Sequence, residues 1–158
     1  MPRKRSRPPA VPRAESLRVR DFLALVDEGV CARLGGDRGG MAMRQRFSFV
    51  QYYRGSPDVH YEVWAQRRTG RIEIGLHFEG ERERNYAAAA TLARHASAVA
   101  KAAGGGYEIE EWTPRWTRLH CTLPAPALTP DGALESADRV CALIRGMEPL
   151  LERLGLRA

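Results

Sequence analysis

Residues 59–80, VHYEVWAQRRTGRIEIGLHFEG, constrain the fold more than any other stretch of this chain. Two runs of alternating apolar and polar residues flank Thr69-Gly70, and glycine supplies the positive φ that a two-residue hairpin turn requires. Pairing Arg68 with Arg71 sets Val59, Tyr61, Val63 and Ala65 on one face together with Ile72, Ile74, Leu76 and Phe78. All eight are residues that a core buries. A slip of one position turns either set toward water, so the register is expected to be well specified. On the opposite face this register places His60 against Glu79, Glu62 against His77, and Trp64 against Gly75. The glycine leaves room for the indole to lie across the partner strand.

A chain of 158 residues accommodates one domain with a substantial core. No apolar run reaches the length of a membrane span, and no apolar segment follows the basic N-terminus as a secretory signal requires. A soluble, cytoplasmic protein is expected. Cys31, Cys121 and Cys141 are odd in number, far apart and set in apolar periodic segments, the pattern of small buried hydrophobes. The net charge of +6 is unevenly placed. Arg3, Lys4, Arg5, Arg7 and Arg13 give the first fourteen residues +5, which leaves +1 for the remaining 144. Four prolines share that stretch with almost nothing to bury, so residues 1–15 read as a disordered basic tail. Such a tail either grips phosphate or is a solvated leader.

Along residues 16–158, Ser16 is a candidate cap for a helix over 17–34, striped by Phe22, Leu23, Leu25, Val26, Val30 and Leu34. Residues 35–44 form a glycine-rich connector that lacks the GK[ST] of a phosphate loop. Residues 45–53 read as a strand with Phe47 and Phe49 inward and Val50 and Tyr52 outward. Asn85 is a candidate cap for an alanine-rich helix over 86–103, with Leu92, Ala96, Val99 and Ala103 on its inner side. Strands over 107–112 and 116–123 follow, pairing Ile109 with Leu119, Glu110 with Arg118, Glu108 with His120 and Trp112 with Trp116. Thr129-Pro130 opens a last helix that buries Leu134, Val140, Cys141, Ile144, Met147, Leu151 and Leu154. Pro149 is expected to kink it or to begin a fresh turn. The fold class is thus α+β, in the order α-β-β-β-α-β-β-α, with a five-stranded antiparallel sheet and helices on one face. This element order resembles the secretion-chaperone-like fold of type III secretion chaperones and YbjN-like proteins. That resemblance, carried by topology from Leu17 to Leu154 and by no motif, implies a non-catalytic, dimeric binding module.

The non-core sheet face collects Tyr52, His60, Glu62, Trp64, His77, Glu79, Glu108, Glu110, Trp112, Trp116, Arg118 and His120. All three tryptophans are on it, and exposed indoles ask for cover by a second subunit, a peptide or stacked bases. The first reading is therefore a homodimeric binding or assembly module without cofactor, working through Tyr52, His60, Glu62, Trp64, His77, Glu79, Trp112, Trp116, Arg118 and His120. A second reading is a single-stranded nucleic-acid binder that uses the tryptophans and Arg3, Lys4, Arg5 and Arg7. On that reading the glutamates of the face oppose phosphate. A third is a metal-dependent enzyme at His60, Glu62, His77 and Glu79, where imidazole and carboxylate ligands come within reach of one another. The plain alternative to all three is a solvated face of cross-strand charge pairs. No GxSxG, HExxH or dinucleotide-binding glycine pattern is present.

Overall fold

The computed structural model describes residues 15–157, so the basic tail, apart from Glu15, lies outside the described residues. The core-facing residues of the central hairpin do what their pattern dictates. Strands β3 (Val59–Gln66) and β4 (Arg71–Phe78) pair antiparallel. Tyr61, Val63, Ala65, Ile72, Ile74, Leu76 and Phe78 are all at most 2% exposed. The hairpin loop has four residues instead of two, because Gln66 pairs with Arg71. Thr69 and Gly70 donate back to the carbonyls of Gln66 and Arg67, and Gly70 takes φ +61° to close the turn. The register therefore moves by two residues, which preserves every face but changes every partner. His60 lies opposite His77, Glu62 opposite Gly75, and Trp64 opposite Glu73.

The chain forms an α+β domain with a six-stranded antiparallel sheet in the order β1-β2-β3-β4-β6-β5. The sixth strand comes from the glycine-rich connector. After α1 (Val19–Leu34) the chain enters β1 (Ala42–Arg46), turns at Phe47-Ser48, and returns as β2 (Phe49–Tyr53). This turn reverses the parity expected for residues 45–53. Val50 and Tyr52 face the core fully buried, Gln51 faces the other way, and Phe47 at the tip is 97% exposed. Tyr52 consequently does not belong to the non-core face. Its hydroxyl donates to Asp27 at 3.1 Å, and that of Tyr61 donates to Glu148 at 2.8 Å, so both core tyrosines reach acids on the covering helices.

Four helices share one core with this sheet face. Helix α1 begins at Val19 without a side-chain cap, while the Ser16 hydroxyl accepts from the Leu128 amide. Asn85 is not a cap either. It is buried inside α2 (Arg82–Arg94), where its amide brackets both backbone groups of Gly80 and the Arg115 carbonyl. The alanine-rich helix breaks at His95, whose ring Nδ1 donates to the Thr91 carbonyl beside its own backbone amide. Helix α3 (Ala96–Ala103) then sets off anew, and Ala96 is exposed. Strands β5 (Glu108–Glu111) and β6 (Thr117–Pro124) pair as their pattern predicts, with Ile109 on Leu119 and Glu110 on Arg118. Thr129 caps α4 (Pro130–Leu154) by accepting from Gly132, and α4 continues through Pro149 as one helix. Leu134 on that helix is 48% exposed, because the buried stripe there runs through Ala133 and Ala137. The three cysteines are free, with Cys141 buried and the other two half-buried. Among the described residues no helix is long and apolar enough to cross a membrane.

Small residues set how closely the helices approach. A Cβ on Gly146 of α4 lies 1.8 Å from the Ala102 carbonyl oxygen of α3, so no side chain fits between the two. Mid-helix glycine costs about 1 kcal/mol relative to alanine, and close packing is what outweighs that cost here. Gly146→Ala is expected to lower unfolding free energy by about 3 kcal/mol in urea melts, despite alanine's better helix propensity.

Candidate functional site

On the sheet face away from the helices, the strands bring polar side chains together and then hide them. His60, Glu62, Glu73 and His77 are at most 6% exposed. The centre is His77. Its Nε2 lies 2.8 Å from Glu73 Oε1 and its Nδ1 lies 3.1 Å from Glu79 Oε1. A carboxylate only accepts, so both ring nitrogens donate and His77 is an imidazolium. Burial opposes this charge, but the bonds to Glu73 and Glu79, with the nearby Glu62 charge, raise the His77 pKa to about 9. Glu73 is tied further by Arg118 Nη1 at 2.7 Å and Gln66 Nε2 at 3.2 Å.

Glycine makes the Glu73–His77 pair possible. The two residues are four apart on one strand with Gly75 between them on the same face. A Cβ at Gly75 lies 3.2 Å from His77 Nε2 and 3.0 Å from the Leu119 carbonyl oxygen. The missing side chain is the space across which carboxylate and imidazole meet.

His60 belongs to a second relay that starts at the sheet edge. Arg44 donates through Nε and Nη2 to Gln51 Oε1, which fixes the amide with its nitrogen inward. Gln51 Nε2 then donates to Glu62 Oε2 at 2.7 Å and to His60 Nε2 at 3.0 Å. His60 Nδ1 donates to the Pro57 carbonyl at 2.7 Å. His60 Nε2 also lies 3.3 Å from Glu62 Oε2. Burial would raise the Glu62 pKa, yet the His60 ring, the His77 charge and the Gln51 amide hold it below the usual carboxylate range.

The indoles form the outer layer. Trp112 meets His77 edge-on at 5.7 Å, Trp116 at 5.6 Å and Trp64 at 6.4 Å. The Arg118 guanidinium stacks on Trp112 at 4.7 Å and donates to Glu110 at 3.1 Å. All three tryptophans are half-buried, with Trp64 and Trp116 packed on Trp112 and Trp112 on His77. Burial and the Arg118 charge lower the His120 pKa. Its Nε2 approaches Glu110 Oε2 to 2.6 Å without hydrogen-bond alignment, and neither ring nitrogen has a hydrogen-bond partner.

Beside Trp64 and Trp112 the face opens into a groove of about 560 Å³. Its polar rim is Ser48, Gln66, Arg67, Arg68, Thr69 and Arg118, and among the described residues no acidic one lines it. A cavity of about 340 Å³ at another edge, near Asp58, Arg84 and Gly155, mixes acids with bases. No protein-family model, no curated protein and no solved structure matches this chain. The site is therefore read from its own chemistry.

Nine of the ten residues singled out from the sequence share this face, and Tyr52 does not. Four that complete the network, Arg44, Gln51, Gln66 and Glu73, were missed. Gln51 was hidden by the reversed parity of β2, and Arg44 by reading its strand as a connector. Glu73 was legible, since it has the parity of Gly75 and His77 and stands between two isoleucines.

The folded-state pKa of His77 lies above the ordinary 6.5. Its charge therefore stabilises the fold fully below about pH 6.5, and that stability is lost as pH rises through about 9. In chelator-containing buffer, urea melts are expected to lose roughly 3 kcal/mol across this window. His77→Gln is expected to flatten that limb. Gly75→Ala is expected to destabilise by about 2 kcal/mol and to bring the His77 titration, read by NMR, back toward the ordinary value.

Proposed function

We propose that this domain binds single-stranded nucleic acid in the groove beside Trp64 and Trp112, as a binding module without catalysis. The observation that carries the reading is the groove's lining: three arginines, two indoles and, among the described residues, no carboxylate. Of the glutamates of the face, only Glu108 is exposed and without an ion pair among the described residues. Glu62, Glu73, Glu79 and Glu110 are each bonded to a histidine, glutamine or arginine of the face. Arg67 and Arg68 are exposed and make no ion pair among the described residues, which leaves both for a ligand's phosphates. Flat bases stack on indoles and a basic rim tracks the backbone, the combination that sequence-tolerant single-strand binders use. The imidazoles give a catalytic reading no support, because both nitrogens of His60 and of His77 are engaged inside the protein.

Fluorescein-labelled oligo-dT of about twenty nucleotides, followed by anisotropy at 50 mM salt, tests this. Binding with Kd of about 1–100 μM is expected, weakening steeply by 200 mM salt and accompanied by quenched tryptophan fluorescence. Arg67→Ser with Arg68→Ser, both on an exposed loop, is expected to weaken it at least tenfold. Deleting residues 1–14 is expected to leave the quench in place. No anisotropy change at 200 μM protein, or equal binding by the double variant, rejects the groove.

A further inference from the structure

We propose that His60, His77 and Glu79 form a site for a divalent transition-metal ion of the zinc type, independent of the groove. One ligand atom from each of the three lies within 4.8 Å of the others. The positions are set by the sheet: His60 and His77 are directly opposed on β3 and β4, their rings stacked 5.2 Å apart. Glu79 follows where β4 ends, with a side chain 18% exposed and already 3.1 Å from His77 Nδ1. Ligands around tetrahedral zinc stand about 3.3 Å apart, given bonds of about 2.0–2.2 Å, so side-chain rotation closes the set. Two imidazoles and one carboxylate favour zinc, cobalt or nickel over magnesium or calcium, which prefer all-oxygen sites.

The outer partners match what a metal-bound histidine needs. His60 Nδ1 donates to the Pro57 carbonyl, which leaves Nε2 as its ligand atom. His77 Nε2 donates to Glu73, itself held by Arg118, so an ion taken at Nδ1 displaces the proton that Nδ1 now donates to Glu79. A carbonyl or carboxylate on the far nitrogen orients the ring and makes it a better ligand. Charge points the same way. Three carboxylates, Glu62, Glu73 and Glu79, are in contact with only His77 and Arg118 as cations, with Arg44 one residue removed behind Gln51. A surplus of negative charge in so dry a place favours a bound cation. Gln51, now on His60 Nε2, keeps Glu62 as its acceptor when the ion takes its place.

The test uses the tag-free full chain, stripped with chelator and titrated with Co²⁺. One equivalent is expected to give visible d–d absorption of a four- or five-coordinate ion. It is also expected to quench tryptophan emission, since Trp112 lies 5.7 Å from His77, and Zn²⁺ is expected to abolish both signals. Glu79→Gln, at a half-exposed position with circular dichroism confirming the fold, is expected to weaken binding at least tenfold. His95→Ala, which removes the exposed histidine of the α2–α3 junction, is expected to bind as the parent does. Co²⁺ bound without d–d intensity, unchanged affinity in Glu79→Gln, or loss in His95→Ala overturns the site. Because Arg67 and Arg68 are untouched, this outcome is separate from the oligonucleotide result.

Discussion

The interaction on which the outer sheet face depends is the His77 imidazolium held between two carboxylates. A charged ring with no exposure is costly unless every donor is met, and here Glu73 meets one and Glu79 the other. The pair then recruits the rest. Glu73 needs its second oxygen satisfied, and Arg118 of β6 supplies that bond. Arg118 in turn satisfies Glu110 of β5 and lies flat on Trp112. Three neighbouring strands are thereby tied by side chains as well as by their ladders, and the indole that seals His77 is fixed by the guanidinium that neutralises its partner. Removing one member leaves a buried charge unmet, so the network stands or falls as a unit.

The two faces of the sheet solve one problem in opposite ways. On the helix side an aliphatic core excludes water, and the polar ends of Tyr52 and Tyr61 extend to Asp27 and Glu148 at its margin. Burial and those acids raise both tyrosine pKa values, so the hydroxyls stay donors. On the other side the described residues supply no aliphatic layer. Its place is taken by hydrogen-bonded charge under three indoles, which explains how residues expected to be solvated are nearly inaccessible.

How much of this was legible in the chain follows from how well parity was determined. In residues 59–78 only one face is apolar, so a wrong loop length still gave the right faces, and the β5–β6 partners came out in register. In FSFVQYY both parities carry aromatics, so alternation alone does not choose. The deciding fact is the turn at Phe47-Ser48, which lacks the glycine or asparagine that marks such turns. The same limit hid Gln51 and assigned Tyr52 to the wrong side. The break at His95 was invisible for another reason: alanine favours helix on either side of it, and no glycine or proline marks the end of the first segment. Burial of the outer face was not legible at all. It arises from the contact of Trp112 with His77, between residues 35 positions apart, and no local pattern encodes that distance.

Arg118 joins the two halves of the site. It lines the groove, stacks on the indole that a base would meet, and bonds the carboxylate that holds His77. Its bonds to Glu73 at 2.7 Å and to Glu110 at 3.1 Å hold the guanidinium between the groove wall and the buried carboxylate. The groove and the buried cluster are therefore separate in chemistry but share one cation.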